Sequence, residues 1–199
     1  MRLVVLNRQE VKASLDMREV LRAVGRAYRM KAAGETGVWP LVSHEFEDRN
    51  AVMDIRSGFV GGDVGLHGLK MLNNFPQNAA RGLPAFNGML MLFDSATGIP
   101  LGVMDASYIT CMRTGAAGAL GAKALARPES RALTVLGAGR QSAFQIAATL
   151  LEMPGIERVY VADPLDFDNA RRAVEALPER LEAEFGIRDR GYVGFVAAD

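Results

Sequence analysis

The sequence predicts an α/β protein with two domains, and three observations support this. Apolar and helical segments alternate after residue 131, which is typical of a parallel sheet covered by helices. Glycines follow the first of those apolar segments, at Gly137-Ala138-Gly139. Short apolar runs broken by glycine, proline and asparagine fill the region from Val38 to Asp105. We therefore expect an N-terminal α+β domain over residues 1–128 and an incomplete Rossmann-type parallel-sheet domain over residues 129–199.

The first predicted element is a helix over residues 16–33. Asp16 and Glu19 resemble a capping box, and apolar residues follow at three- and four-residue steps. Further along, Gly88–Phe93 and Leu101–Met104 read as a hairpin, and alanine and glycine dominate a predicted helix from about Ser107 to Ala126.

The second half of the chain begins after Arg127-Pro128-Glu129-Ser130, which we take as the domain boundary. The alternation beyond it predicts three strands and two helices. In order, they are a strand over 132–136, a helix over 141–152, a strand over 158–162, a helix over 166–184 and a strand that begins near Tyr192.

Composition excludes several classes of function. The 199 residues carry 23 basic and 23 acidic side chains, so the formal charge is zero and neither nucleic acid nor an anionic membrane is an expected partner. No apolar run approaches the roughly 20 residues that span a bilayer, and we expect a cytoplasmic protein. One cysteine and two histidines leave no expected metal site. Cys111, Trp39 and methionines such as Met89 and Met112 are expected in the core.

The glycine turn has the features of a dinucleotide-binding corner. Backbone N–H groups at a helix N-terminus attract phosphate, and glycines let it approach closely. However, the third glycine of the fingerprint is replaced by Ser142, and an ordinary tight turn is the alternative. Asp163 ends the next predicted strand, 26 positions after Gly137. Its carboxylate suits ribose hydroxyls and repels a 2′-phosphate, which favours NAD over NADP; the alternative is that Asp163 only initiates a turn before Pro164.

Two basic residues upstream are candidates for binding a carboxylate. Lys70 lies near the end of a strand pattern, and Arg113 lies near the start of the small-residue helix. An arginine fork and a mobile lysine can clamp a carboxylate together. The alternative is that both are solvated surface residues.

A series of motifs, in order along the chain, resembles the ornithine cyclodeaminase/μ-crystallin family. They are Lys70-Met71-Leu72-Asn73-Asn74-Phe75-Pro76, Arg81-Gly82-Leu83-Pro84, Leu92-Phe93-Asp94, Thr97-Gly98-Ile99-Pro100-Leu101, Met104-Asp105, Ile109-Thr110, Arg113-Thr114-Gly115-Ala116-Ala117, Leu125-Ala126-Arg127-Pro128 and Gly137-Ala138-Gly139-Arg140-Gln141.

The resemblance implies a nucleotide domain, a second domain whose sheet builds a homodimer, and a nicotinamide cofactor that serves the interconversion of small amino acids and imines. By position it implies that Lys70 and Arg113 bind and polarise the substrate. The residues that it places at the cofactor are Arg113, Gly137, Gly139, Arg140, Gln141 and Asp163.

The chain departs from the family pattern in ways that shape these expectations. Family members usually carry an arginine after a proline, where this chain has Pro40-Leu41, and Arg56 is the candidate replacement. The later strands that carry the cyclodeaminase general base are absent before Asp199, so we expect a truncated product. A non-catalytic μ-crystallin-like binding protein, or an inactive fragment, is therefore the alternative to an amino-acid dehydrogenase or cyclodeaminase.

Overall fold

A computed structural model describes residues 3–188 and 194–198. The chain forms two compact units, of which the first comprises residues 1–15 and 26–110 and the second comprises residues 16–25 and 111–199. Of the three divisions, that at 15/16 falls just before the helix α2 (Met17–Ala32), that at 25/26 falls within α2, and that at 110/111 falls within the helix α3 (Ala106–Leu125). The predicted division at 128/129 falls in the loop after α3 and stays a prediction.

The first unit is built on a seven-stranded sheet. The strands are β1 (Val4–Leu6), β2 (Thr36–Val38), β3 (Val42–Phe46), β4 (Ala51–Val60), β5 (Leu66–Asn74), β6 (Phe86–Asp94) and β7 (Pro100–Asp105). They are ordered β1-β7-β6-β5-β4-β2, with β3 also on β4, and all pairs are antiparallel except β1 with β7. A short helix, α1 (Arg8–Ser14), follows β1 and was not predicted.

The helix α2 begins where its capping residue places it. The Asp16 carboxylate accepts hydrogen bonds from the amides of Arg18 (2.9 Å) and Glu19 (3.1 Å), which satisfies donors that a helix start leaves open. Met17 and Leu21 then lie buried on one face. The prediction of a helix over 16–33 is confirmed.

The second unit contains a parallel three-stranded sheet with helical crossovers. Its elements are β8 (Ala132–Leu136), α4 (Ser142–Glu152), β9 (Arg158–Ala162), α5 (Phe167–Phe185) and β10 (Gly194–Ala198). The strand order β10-β9-β8 is that of the first half of a Rossmann fold, with the first strand of the motif on one side and the third on the other. The predicted fold class is therefore confirmed. Tyr192, where the last strand was expected to begin, lies outside the described residues.

The core of the second unit lies against the central strand. Val159 and Val161 on β9 are buried, and so are Ile146 on α4 and Leu177 and Leu181 on α5. Burying such side chains stabilises a fold by about 1.5–3 kcal/mol each, before the entropy of ordering is counted. This packing fixes the strand ends that carry the glycine turn.

Two core predictions for the first unit are wrong. Trp39 is 44% exposed and Met89 is 53% exposed, whereas Cys111 and Met112 are buried as expected. Met89 pairs with Met71 across β5 and β6, and both side chains are exposed on one face of the sheet. Hydrophobic composition alone does not distinguish a sheet face that is covered from one that is open.

Candidate functional site

Two cations face each other across neighbouring strands of the first unit. Arg56 on β4 lies directly opposite Lys70 on β5, and residues in such register project from the same face of a sheet. Like charges directly opposite each other destabilise a strand pair, so this arrangement is not explained by sheet stability. Lys70 sits in the middle of β5 rather than near its end as predicted.

Lys70 is oriented by the first turn of α3. Its ammonium group donates to Thr110 Oγ1 at 3.3 Å, and the Thr110 hydroxyl donates to the Ala106 carbonyl at 2.7 Å. Thr110 is buried and Lys70 is half-buried, so the ammonium group of the Lys70 side chain is held by a fixed hydroxyl. The sequence indicated Thr110 as part of the Ile109-Thr110 motif but not its contact with Lys70, which lies 40 residues away.

Arg56 is held by an acidic neighbour on its own strand. Asp54 Oδ2 accepts from the Arg56 guanidinium at 3.1 Å, and Asp54 Oδ1 accepts from the Ser43 hydroxyl at 2.8 Å. These two bonds, of which that from Ser43 is the stronger influence, hold the pKa of Asp54 below its usual value. The guanidinium retains donors beyond this one, because arginine carries five.

Both cations line a groove of about 430 Å³ in the first unit. Its walls are mostly apolar, with contributions from Leu66, Leu90 and Leu92, while Lys31 on α2 adds a further cation. An apolar groove with a few convergent charged groups is the usual form of a small-molecule site. Its chemistry suits a small molecule with an anionic group.

Arg113 belongs to the second unit. It is the eighth residue of α3, and its side chain is exposed. The carboxylate clamp predicted from Lys70 and Arg113 stays a prediction, whereas the structure brings Lys70 together with Arg56.

The glycine turn links β8 to α4 and is tied to the end of β9. Gly137 has φ +92°, a conformation that favours glycine, and its amide donates to the Ala162 carbonyl at 2.6 Å. A Cβ added at Gly139 would meet nothing within 4 Å, so packing inside the chain does not explain that glycine. The open space in front of Gly139 is available to a ligand.

Ser142 occupies the position of the missing third glycine and is buried. Its hydroxyl donates to the Gly139 carbonyl at 2.7 Å, and its amide donates to the same oxygen at 3.0 Å. Ser142 thus stabilises the turn through two hydrogen bonds to the Gly139 carbonyl. Its side chain replaces a glycine without blocking the turn.

Asp163 lies at the end of β9, beside the turn. Its Oδ2 accepts from the Ala138 amide at 3.3 Å and from Asn169 Nδ2 at 3.0 Å, while Oδ1 accepts from the Leu165 amide at 3.3 Å. The Asn169 side chain, and next the Ala138 amide, lower the pKa of Asp163 below its usual value. The carboxylate is therefore ionised at neutral pH.

A second pocket, of about 290 Å³, adjoins the glycine turn within the second unit. Arg140 contributes to its wall from the turn, and Arg172 and Arg180 contribute from α5. Among the described residues, Gln141 Oε1 is the buried side-chain polar atom that lacks a hydrogen-bond partner. The cationic wall suits a ligand with anionic groups, and the unsatisfied Gln141 oxygen lies next to the pocket in sequence, between Arg140 and Ser142.

Neither a membrane-spanning helix nor a metal-binding cluster is found among the described residues. Over residues 3–188 and 194–198, no helix is long and apolar enough to cross a membrane. The same part of the chain contains no group of three or more His, Cys, Asp or Glu side chains arranged to hold a metal ion.

Comparisons with known proteins point to one protein family. The model of the ornithine cyclodeaminase/mu-crystallin family matches residues 1–189. An alanine dehydrogenase of Archaeoglobus fulgidus is 39% identical over 148 residues, which are 74% of this chain and 44% of that protein.

Two solved structures share the fold over nearly all of this chain. One is an archaeal alanine dehydrogenase dimer with bound NAD, with a TM-score of 0.86 and 31% identity over 100% of this chain and 57% of that chain. The other is the Thermococcus litoralis Δ1-pyrroline-2-carboxylate reductase in complex with NADH and L-proline, with a TM-score of 0.83 and 30% identity over 98% of this chain and 57% of that chain. The chain therefore spans about half the length of the relatives that it matches.

Proposed function

This chain belongs to the ornithine cyclodeaminase/mu-crystallin family, and from that premise we propose that the protein uses NAD to interconvert a small amino acid and its imine. The observation that carries the proposal is the glycine turn, with the ionised Asp163 hydrogen-bonded to its Ala138 amide. The relatives with bound NAD or NADH, and those named for alanine and pyrroline carboxylate, support the cofactor and the general kind of reaction.

The residues around the turn fit NAD. The space in front of Gly139 is open, which suits the approach of a pyrophosphate to the backbone. The buried Gln141 Oε1 would accept a hydrogen bond from a hydroxyl or amide of the ligand. Arg140 adds positive charge, and the Asp163 carboxylate favours the 2′-hydroxyl of NAD over the 2′-phosphate of NADP.

The groove of the first unit suits the substrate. We assign Lys70 and Arg56 to its carboxylate, because they project from one face of the sheet and lie in one groove. The like-charge pair becomes favourable once an anion lies between the two cations. Arg113 is assigned to the substrate carboxylate and to the cofactor by family resemblance.

The chemistry follows from these positions. NAD, when bound, supplies a hydride acceptor for the α-carbon of an amino acid, and NADH reverses the transfer. Lys70 and Arg56 fix the carboxylate, which limits the freedom of the α-carbon. Thr110 holds the Lys70 ammonium at 3.3 Å, so Lys70 is placed to exchange a proton with the substrate nitrogen.

We propose further that the protein assembles as a homodimer through its seven-stranded sheet. Phe59, Met71 and Met89 are 39%, 37% and 53% exposed, and they lie on the sheet face opposite to Lys70. An open apolar sheet face of this kind marks an interaction surface. The archaeal alanine dehydrogenase is itself described as a dimer. Sedimentation of Met89→Lys beside wild type tests the assembly, and dimers of unchanged stability would contradict it.

The function is tested by mixing the full chain with NADH and candidate imines. Pyruvate with ammonia, and cyclic ketimines, are the probes, and loss of NADH absorbance is the readout. We expect turnover in wild type and a loss of about 100-fold or more in Lys70→Met, as for removal of a proton-transfer group. NADH fluorescence should show binding in both proteins.

Lys123→Met is the matched control, because Lys123 pairs with Glu152 at 2.8 Å on the second unit and lies outside both pockets. Tight NADH binding without turnover of any probe would instead support the non-catalytic binding protein. No NADH binding at all would overturn the proposed cofactor.

A further inference from the structure

The Asp163 carboxylate accepts hydrogen bonds from one side chain, that of Asn169, and otherwise from backbone amides. The Ala138 and Leu165 amides belong to the backbone, and any residues at those positions except proline would supply them. Asn169 Nδ2, at 3.0 Å, is the donor that depends on residue type. Asn169 is half-buried in the first turn of α5.

Asn169 has separate tasks for its backbone and its side chain. Its amide donates to Asp166 Oδ1 at 2.9 Å, which caps α5. The side chain is not needed for that cap and points instead to Asp163. A change of the side chain therefore leaves the helix start in place and alters the carboxylate alone.

The hydrogen bonds fix the orientation of the Asp163 carboxylate. Oδ2 accepts from Ala138 and Asn169, and Oδ1 accepts from Leu165. Because two donors from different parts of the chain meet at Oδ2, the rotation of the carboxylate is fixed, and its oxygens face set directions.

We infer that Asn169 is a positioning residue that orients Asp163 toward the adenosine ribose of the dinucleotide and so sets the preference for NAD over NADP. The inference rests on the proposed function. The hydrogen bond from Asn169 also favours the ionised form of the carboxylate, since it is the largest influence lowering the pKa of Asp163. An ionised, fixed carboxylate binds the ribose diol and repels a 2′-phosphate.

The test measures dissociation constants of NADH and NADPH by fluorescence for wild type, Asn169→Ala, Asp163→Ala and the double variant. We expect Asn169→Ala to weaken NADH binding about fivefold, as for loss of one typical hydrogen bond, because Asn169 acts on the ligand indirectly. NADPH binding should change less, so the dissociation constants for NADH and NADPH should become more similar in Asn169→Ala than in wild type. In the Asp163→Ala background, Asn169→Ala should have no further effect if Asn169 acts through Asp163, whereas a remaining effect would show that Asn169, which lines the pocket, contacts the ligand directly.

Two further readouts separate positioning from a merely structural role. Carboxyl NMR of unliganded Asn169→Ala should show the pKa of Asp163 rising toward its usual value. Thermal unfolding should match that of Glu175→Ala, an exposed control on the same helix. Asn169→Asp keeps the shape and removes the donor, and it should weaken NADH binding more than Asn169→Ala because it adds a like charge.

The outcomes are distinguishable. Unchanged NADH and NADPH constants in Asn169→Ala, or additive effects in the double variant, would overturn the positioning role while the proposed function stands. Failure of wild type to bind NADH would overturn the proposed function and this inference with it.

Discussion

The close approach of α3 to α4 at Gly115 predicts opposite effects for one substitution at two positions of α3. A Cβ added at Gly115 would lie 2.5 Å from the Phe144 carbonyl oxygen and 2.7 Å from its carbon, both backbone atoms of α4. Ordinary contact begins at 3.4 Å, so the two helices would have to separate by nearly 1 Å. At Gly121 the same Cβ would meet nothing within 4 Å.

The magnitudes follow from two opposing effects. Replacing glycine by alanine inside a helix gains about 1 kcal/mol of propensity. Overpacking costs about 1–3 kcal/mol, and a clash with backbone belongs at or beyond the upper end of that range. Gly115→Ala should therefore destabilise the protein by about 2 kcal/mol or more and lower Tm by roughly 4–8 °C, whereas Gly121→Ala should stabilise it by about 0.5–1 kcal/mol.

Urea unfolding followed by circular dichroism, with thermal unfolding as a second measure, checks both variants against wild type. Gly118→Ala is an informative third case, because its Cβ meets the Gln145 side chain, which is able to move. We expect its free energy of unfolding to lie between those of Gly115→Ala and Gly121→Ala. If Gly115→Ala proved as stable as Gly121→Ala, the close approach of α3 to α4 would be refuted.

Three further predictions concern single residues. The Thr97 hydroxyl is the main cause of the lowered pKa of Asp94, so the ionised carboxylate stabilises the folded protein. Asp94→Ala should therefore be fully destabilising above pH 4, and its destabilising effect should diminish as pH falls through the lowered pKa. Equal destabilisation at pH 3 and pH 7 would contradict this. Asp16→Ala should cost about 1 kcal/mol in urea unfolding through loss of the α2 cap, and an unchanged midpoint would show that the cap is dispensable. Cys111, 5% exposed, should react with a thiol reagent at least about 100-fold more slowly in native than in unfolded protein, and rapid native labelling would contradict its burial.

Local patterns predicted most of the fold because its elements have strong local signals. β8 and β9 were predicted with the bounds that the structure gives, since each is a short apolar run between turn residues. α1 was missed because seven residues give too few periods for a pattern, although Asn7 forms a full capping box with Glu10. Trp39 and Met89 were misplaced because exposure depends on which sheet face is covered.

The sequence predicted individual candidate residues of the site but not the contacts between them. Gly137, Gly139 and Asp163 are predicted from residue type and spacing, and Lys70 from the family resemblance; their roles stay predictions. The contacts of Lys70 with Thr110 and of Asp163 with Asn169 were not predicted, because only the folded chain brings these side chains together. The Arg56 and Lys70 pairing depends on strand register, which single-strand patterns do not specify.

The hydrogen bonds of the glycine turn have a consequence for the thermodynamics of association. The Gly137 and Ala138 amides already bond to the end of β9 in the unliganded chain. Conformational entropy of the turn is therefore lost when the protein folds and not when a ligand arrives. Both amides should be protected from hydrogen exchange without ligand. A dinucleotide would meet a corner that is already rigid, and its binding would be limited by diffusion and desolvation instead of by loop ordering.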